Sequence, residues 1–191
     1  GIRDHCVTGV QTCALPISCL KLLVPDLDNS PLRSLTAIAI ASIVMALLLA
    51  LAERLGTHKR KFQKIRKRDG ILVGLAQTLA LIPGVSRSGS TLTAGLLLNL
   101  ERSTAARFSF LLGIPAITLA GLVELKDVVG ERFDSSAWFS IVIGLIFATA
   151  SSYLAIAWLI RYLQRHSTWI FVWYRLAFGG AILLSLALIK K

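Results

Sequence analysis

The chain has 191 residues, 55% of them hydrophobic, with a mean hydropathy of +0.71 and a formal net charge of +11. A composition this apolar excludes an ordinary soluble domain of this size. Much of the excess positive charge lies in one short segment between apolar runs, which is typical of a cytoplasmic loop under the positive-inside rule. Because no aromatic pattern or RNA-binding motif accompanies these cations, we expect no nucleic-acid partner.

The first 18 residues differ in character from the rest of the chain. They are polar, show no periodicity and lack the ordered regions of a signal peptide. We therefore predict that residues 1–18 are a non-native or disordered leader and that residues 19–191 form a membrane domain.

The cysteine spacing is not that of a zinc knuckle, and the membrane domain has no cysteine beyond its first residue. No disulfide or thiol chemistry is predicted there. The three cysteines are Cys6, Cys13 and Cys19.

The first two apolar segments differ in continuity. Residues 36–53 are apolar almost throughout and end at the basic loop, so they predict one transmembrane helix. The next segment, 71–100, is interrupted near its middle by Pro83-Gly84, where proline removes a backbone donor and glycine permits irregular dihedral angles. Each half is only about half a bilayer long. This pattern predicts a re-entrant helical hairpin, which is tolerated at that depth only where protein or a water-filled cavity covers it.

Three further transmembrane helices are predicted at 108–125, 138–160 and 169–189, with a kink at Pro115 in the first. The slightly acidic loop 126–136 is predicted to be extracytoplasmic, and the basic loop after residue 160 cytoplasmic. The sequence thus predicts an all-α polytopic membrane protein with one re-entrant hairpin and about four transmembrane helices. The hairpin would enter from the cytoplasm and return there.

A polar patch occupies the centre of the predicted hairpin. Between Asp69 and Glu101 the only charged residue is Arg87, and an arginine at bilayer depth is unfavourable without a partner. Hydroxyls, glycines, a guanidinium and a helix N-terminus suit an anionic partner such as phosphate. The candidate phosphate-binding residues are Gln77, Gly84, Ser86, Arg87, Ser88, Gly89, Ser90 and Thr91.

A purely structural interpretation remains open for the same patch. The hydroxyls would cap a broken helix, and Arg87 would pair with Glu101 or with a backbone carbonyl. Gln77 is equally well explained as a hydrogen-bonding residue between helices.

Three stretches of this region resemble the second conserved region of bacterial undecaprenyl-pyrophosphate phosphatases, the bacitracin-resistance family. They are residues 74–77, 80–91 and 105–112, and the second contains the specific Pro-Gly-x-Ser-Arg-Ser-x-x-Thr motif. The pair Tyr174-Arg175 resembles a Tyr-Arg pair late in that family. As an alternative, Arg175 would extend toward the membrane surface.

The resemblance implies hydrolysis of undecaprenyl pyrophosphate to undecaprenyl phosphate and phosphate, which recycles the lipid carrier of peptidoglycan synthesis. It also implies a divalent metal such as Mg²⁺, two inverted repeats with re-entrant hairpins, and a site facing the extracytoplasmic side of the bacterial plasma membrane. A homodimer is left open. The implied roles are catalytic for Ser86, Arg87, Ser88 and Thr91, and substrate-binding for Gln77, Gly84, Gly89, Ser90 and Arg175.

The chain departs from the family pattern in one respect. The Glu-x-x-x-Glu and Ser-Ser-x-Gly-His motifs of the family's first repeat are absent, so we expect half an active site, with metal ligands from the missing repeat and an inactive fragment. His58 and His166 lie in basic loops and are expected to be solvated.

Three other functions are considered. A lipid phosphatase of the phosphatidic-acid type needs a histidine where this chain has Thr93. A polyprenyl-phosphate transporter or flippase half would also use broken helices and a midplane anion site. A non-functional fragment of the phosphatase is the third.

Overall fold

The computed structural model describes residues 33–130 and 135–189, without the side chains of residues 116, 119, 120, 123–130 and 135–137. Within those ranges the chain forms helices and no β-strand, and the predicted leader 1–18 lies outside them. The all-α polytopic fold class is confirmed. The helices are α1 (Leu35–Leu55), α2 (Lys67–Thr78), α3 (Arg87–Leu97), α4 (Arg102–Gly130), α5 (Ser135–Arg165) and α6 (Trp169–Ile189), with 3₁₀ turns at Phe62–Lys64 and Leu79–Leu81.

Three helices of the described chain are long and apolar enough to cross a membrane, namely α1, the part of α5 from Trp138 and α6. They contain the predicted spans 36–53, 138–160 and 169–189. The predicted span 108–125 lies within α4, which continues through Pro115 to Gly130. The loop expected at 126–136 is therefore shorter than predicted, because lysine and glutamate favour helix as readily as loop.

The hairpin formed by α2 and α3 packs against the other helices mainly through α3. Helix α3 packs against α1, α2 and α4, and α1 packs most extensively against α6. The α1–α6 contact is close at Gly179, where a Cβ atom would lie 2.7 Å from Cγ1 of Ile43. The α3 side of the hairpin is thus covered by protein, whereas apolar side chains of α2 such as Leu72 and Leu75 are exposed. Fully buried apolar side chains around it are Leu49, Leu96, Leu100, Phe108, Leu112 and Val172.

A buried carboxylate joins the ends of three helices. Oε1 of Glu53, at the end of α1, accepts a hydrogen bond of 2.7 Å from Nε of Arg102, at the start of α4. Oε2 accepts one of 2.8 Å from Oγ1 of Thr168, just before α6. A buried charge needs such pairing to be tolerated. This cluster fixes the ends of three helices, and it could not be predicted from sequence because Thr168 is distant from Glu53 along the chain.

The two loop histidines differ from each other. The prediction that His58 is solvated is wrong, because its side chain is only 11% exposed and its Nε2 donates to the carbonyl of Glu53 at 3.0 Å. Its position next to the Glu53 cluster explains this burial. His166 is exposed, as expected, and its ring stacks on Tyr162 with centroids 4.4 Å apart.

The basic loop is folded against the base of the hairpin. Nη1 of Arg60 donates to the carbonyl of Leu98 at 2.9 Å and pairs with the carboxylate of Asp69. Nη2 donates to the carbonyl of Lys64, and the backbone N–H donates to the carbonyl of Asn99. Arg60 therefore holds the two ends of the hairpin together rather than adding a free charge to the loop.

Candidate active site

The hairpin tip has a backbone that only certain residues can adopt. Gly84 has φ +91°, and a Cβ atom there would lie 2.5 Å from the carbonyl oxygen of Ile38 in α1. Ser86 also has a positive φ, of 62°, and its Oγ accepts from the N–H of Gly89 at 3.3 Å as the N-cap of α3. A non-glycine residue in this conformation costs on the order of 1–3 kcal/mol and persists only where its surroundings hold it. The tip is thus a strained turn fixed from two sides.

Arg175 of α6 contacts this tip directly. Its Nη2 donates to the carbonyls of Gly84 and Val85, each at 2.8 Å. Its Nη1 lies so close to Gly89 that a Cβ atom on that residue would overlap it. The guanidinium therefore points into the protein, at the N-terminus of α3, and does not extend toward the membrane surface.

The tip and Arg175 border a cavity of about 450 Å³. Its polar wall includes Arg175 and the hydroxyls of Ser86 and Ser88 near the α3 N-terminus. A cation, hydroxyl groups and unpaired helix N–H groups together favour an anion. The other walls of the cavity are apolar. They are formed by side chains of four helices, which include Leu92, Phe110, Leu159, Leu163, Phe171 and Phe178.

Arg87 does not line this cavity. Its Nη2 lies 3.5 Å from the carbonyl oxygen of Leu112 in α4. With the Gln77 amide turned so that its oxygen faces the guanidinium, that oxygen accepts from Nε at 3.2 Å and from Nη2 at 3.1 Å. No carboxylate of the described residues pairs with Arg87, including Glu101. The arginine is half-buried between α2 and α4, held by uncharged acceptors.

The hydroxyls of Ser90 and Thr91 are directed at the backbone. Both donate to the carbonyl of Arg87, at 2.9 and 3.0 Å, and Thr91 also hydrogen-bonds Ser109 of α4. Their residues are 2% and 1% exposed. In an α-helix, residues 87, 90 and 91 share one face while 88, 89 and 92 lie on another. This periodicity explains why the cavity takes only part of the predicted set.

The predicted residues therefore fall into two groups. The cavity brings together Gly84, Ser86, Ser88, Gly89 and Arg175. Gln77 of α2 does not line the cavity, and neither do Arg87, Ser90 and Thr91, which lie on the other face of α3.

Sequence reasoning missed two hydroxyls that line the cavity, Ser42 of α1 and Ser109 of α4. Ser109 stood within the recognised stretch 105–112, which was a usable signal. Ser42 is a single hydroxyl in an apolar run, and only the packing of α1 against the hairpin reveals its position.

Substitution of Gly84 tests the strain at the tip. We expect Gly84→Ala to destabilise the protein by about 3 kcal/mol or more, because an L-residue at positive φ is unfavourable and its Cβ would displace α1. The measurement is thermal unfolding in detergent. Gly180→Ala is the matched control, since no atom lies within 4 Å of a Cβ there, and it should be neutral or slightly stabilising. Equal unfolding temperatures for the two variants would contradict this account.

Comparison with known proteins places the chain in a family. The family model described as bacitracin resistance protein BacA matches residues 4–181. The chain belongs to the BacA family. A relative from Synechocystis sp. is 67% identical over 169 residues, which cover 88% of this chain and 52% of that protein. A relative from Trichodesmium erythraeum is 64% identical over 87% of this chain and 54% of its own length.

A third BacA relative, from Prochlorococcus marinus, is 57% identical over 92% of this chain and 59% of that protein. All three proteins are named undecaprenyl-diphosphatase. The chain thus spans a little over half the length of these BacA relatives.

Proposed function

We propose that this chain supplies the phosphate-binding half of an undecaprenyl-diphosphatase, which hydrolyses undecaprenyl pyrophosphate to undecaprenyl phosphate and phosphate. The observation that carries the proposal is the convergence of Arg175, Ser86 and Ser88 on one side of a cavity whose other walls are apolar. A pyrophosphate head group on a long prenyl tail has the same division into polar and apolar parts. The names of the BacA relatives agree with this substrate.

Arg175 is positioned to bind the head group. Two carbonyls hold its Nη2, while its Nε and Nη1 make no hydrogen bond with any residue in the described part of the chain. Fixed donors stabilise the charge that develops during phosphoryl transfer. Ser86 and Ser88 would orient phosphate oxygens beside the α3 N-terminus. Oγ of Ser86 has no hydrogen bond to a basic side chain of the described residues, so this half does not itself activate a serine nucleophile.

A divalent metal such as Mg²⁺ is the cofactor that the resemblance implies. Residues 33–130 and 135–189 contain no group of three or more His, Cys, Asp or Glu side chains that could hold a metal. The buried carboxylates of Glu53 and Asp69 are occupied by Arg102 and Arg60. The described residues do not fit a metal site. Our proposal is that any ligands belong to the part of the BacA relatives that this chain does not span.

We further propose the bacterial plasma membrane as the location, with the site facing the extracytoplasmic side. The cytoplasmic assignment of the basic loops supports this orientation. Gly84 contacts Ile38 near the start of α1, and most of this helix separates Ile38 from Glu53 at the basic end. That spacing is about 22 Å of helix, so the hairpin tip lies far from the basic end. Whether the chain forms a homodimer is tested by its mass in nanodiscs.

A chimera tests the proposed activity. The matching residues of the Synechocystis relative are replaced by this chain, and phosphate release from undecaprenyl pyrophosphate is measured in detergent. We expect the chimera to release phosphate, and the same relative lacking its matching half to release none. Movement of the lipid across proteoliposomes without phosphate release would favour the transporter alternative and contradict the proposal.

A further inference from the structure

Helix α1 places one hydroxyl on the cavity wall. Ser42 is 4% exposed and lines the cavity. A serine within a helix commonly donates to the carbonyl four residues earlier, which here belongs to Ile38 and lies beside Gly84. Nowhere in the described part of the chain does a group form a hydrogen bond with Oγ of Ser42. A hydroxyl that faces a cavity and has no partner within the protein is free to donate a hydrogen bond to a group bound in that cavity.

The surroundings of Ser42 select the charge of that group. One helical turn before Ser42, α1 contacts the hairpin tip through Ile38. The same cavity is bordered by the guanidinium of Arg175 and by Ser86 and Ser88 at the α3 N-terminus. These groups are all donors or partial positive charges, so the acceptor that fits among them is anionic.

We infer that Ser42 is a substrate-contact residue, whose hydroxyl donates a hydrogen bond to a phosphate oxygen of a polyprenyl pyrophosphate. The inference rests on the proposed function of the cavity and adds a third helix to the head-group site. Arg175 comes from α6, Ser86 and Ser88 from the hairpin, and Ser42 from α1. The hydroxyl thereby favours the head group over the apolar tail at this position, because only the head group can accept its hydrogen bond.

Binding to the full 191-residue chain in lipid nanodiscs tests the inference. The probes are farnesyl pyrophosphate and farnesol, which share a prenyl tail and differ in the charged head group. We expect Ser42→Ala to weaken farnesyl pyrophosphate binding about tenfold, the usual loss for one hydrogen bond to a charged group, and to leave farnesol binding unchanged. Ser42→Thr keeps the hydroxyl and should bind within about threefold of the original chain.

A matched control separates this effect from general damage. Ser151→Ala makes the same chemical change at an exposed position of α5, where the hydroxyl donates to the carbonyl of Ala148. It should leave both ligands unaffected. The unfolding temperature of the unliganded Ser42→Ala chain should be unchanged or higher, because this hydroxyl forms no hydrogen bond in the described part of the chain. If the Ser42 hydroxyl instead served only to stabilise the fold, Ser42→Ala would lower that unfolding temperature.

Each outcome decides between the two claims. If the original chain binds farnesyl pyrophosphate and Ser42→Ala binds it equally well, the inference is overturned while the proposed function stands. If Ser42→Ala weakens farnesol as much as farnesyl pyrophosphate, or lowers the unliganded unfolding temperature, Ser42 is structural and the inference fails. If the original chain binds neither probe, the cavity is not a head-group site, and the proposed function fails together with the inference. Should Ser42→Ala not fold, Ser42→Cys replaces it, since a thiol is a weak donor of similar size.

Discussion

Arg175→Lys is expected to lower kcat/KM for undecaprenyl pyrophosphate about 100-fold in the chimera that carries this chain, the usual loss when one fixed donor is removed from an active site. In the structure the guanidinium performs two tasks at once. Nη2 holds the hairpin tip through the carbonyls of Gly84 and Val85, which leaves Nε and Nη1 for the ligand. A lysine has a single nitrogen and cannot do both.

The control for this substitution is the same arginine-to-lysine change at a position away from the cavity. Arg161 is an exposed arginine on α5, and Arg161→Lys should alter kcat/KM by no more than about twofold. The unfolding temperature of Arg175→Lys is measured as well, because a loosened tip would lower it. Near-normal kcat/KM in Arg175→Lys would show that the cavity is not the head-group site.

The break in the hairpin was predictable from local chemistry. Pro83-Gly84 within an apolar segment predicts an interruption of the helix. In the structure α2 ends at Thr78 and α3 begins at Arg87. Spans 36–53, 138–160 and 169–189 follow from length and apolarity alone, and α1, α5 and α6 contain them. These features depend on residues close together in sequence.

The composition of the cavity was predicted only in part, for a geometric reason. The helical period determines which residues of α3 share a face, and it puts Arg87 and Thr91 on the same one. It does not fix which face turns toward α6, because that rotation depends on packing between distant segments. For the same reason the position of Ser42 on the cavity wall could not be predicted. The burial of His58 next to the Glu53 cluster also depends on packing between distant segments, so His58 was wrongly predicted to be solvated.

Arg87→Lys is also expected to reduce turnover by about 100-fold, here because it would displace groups of the site rather than remove a contact to the substrate. Its guanidinium contacts the Gln77 amide of α2 and lies 3.5 Å from the carbonyl of Leu112 in α4. Lysine lacks the planar fork that serves two such acceptors. Because Arg87 does not line the cavity, we expect it to act as a positioning residue that sets the orientation of α3. In that role kcat falls while KM changes little.

Gln77→Leu distinguishes this role from direct contact with phosphate. It removes the amide acceptor and leaves Arg87 in place, with a buried donor group that has lost a partner, a change that costs about 1–3 kcal/mol. If Arg87 positions α3, Gln77→Leu and Arg87→Lys should both lower the unfolding temperature and kcat. If Arg87 instead binds phosphate directly, Arg87→Lys should raise KM at an unchanged unfolding temperature, while Gln77→Leu leaves KM near normal. The KM values of Arg87→Lys and Gln77→Leu therefore decide whether Arg87 contacts the substrate or only positions α3.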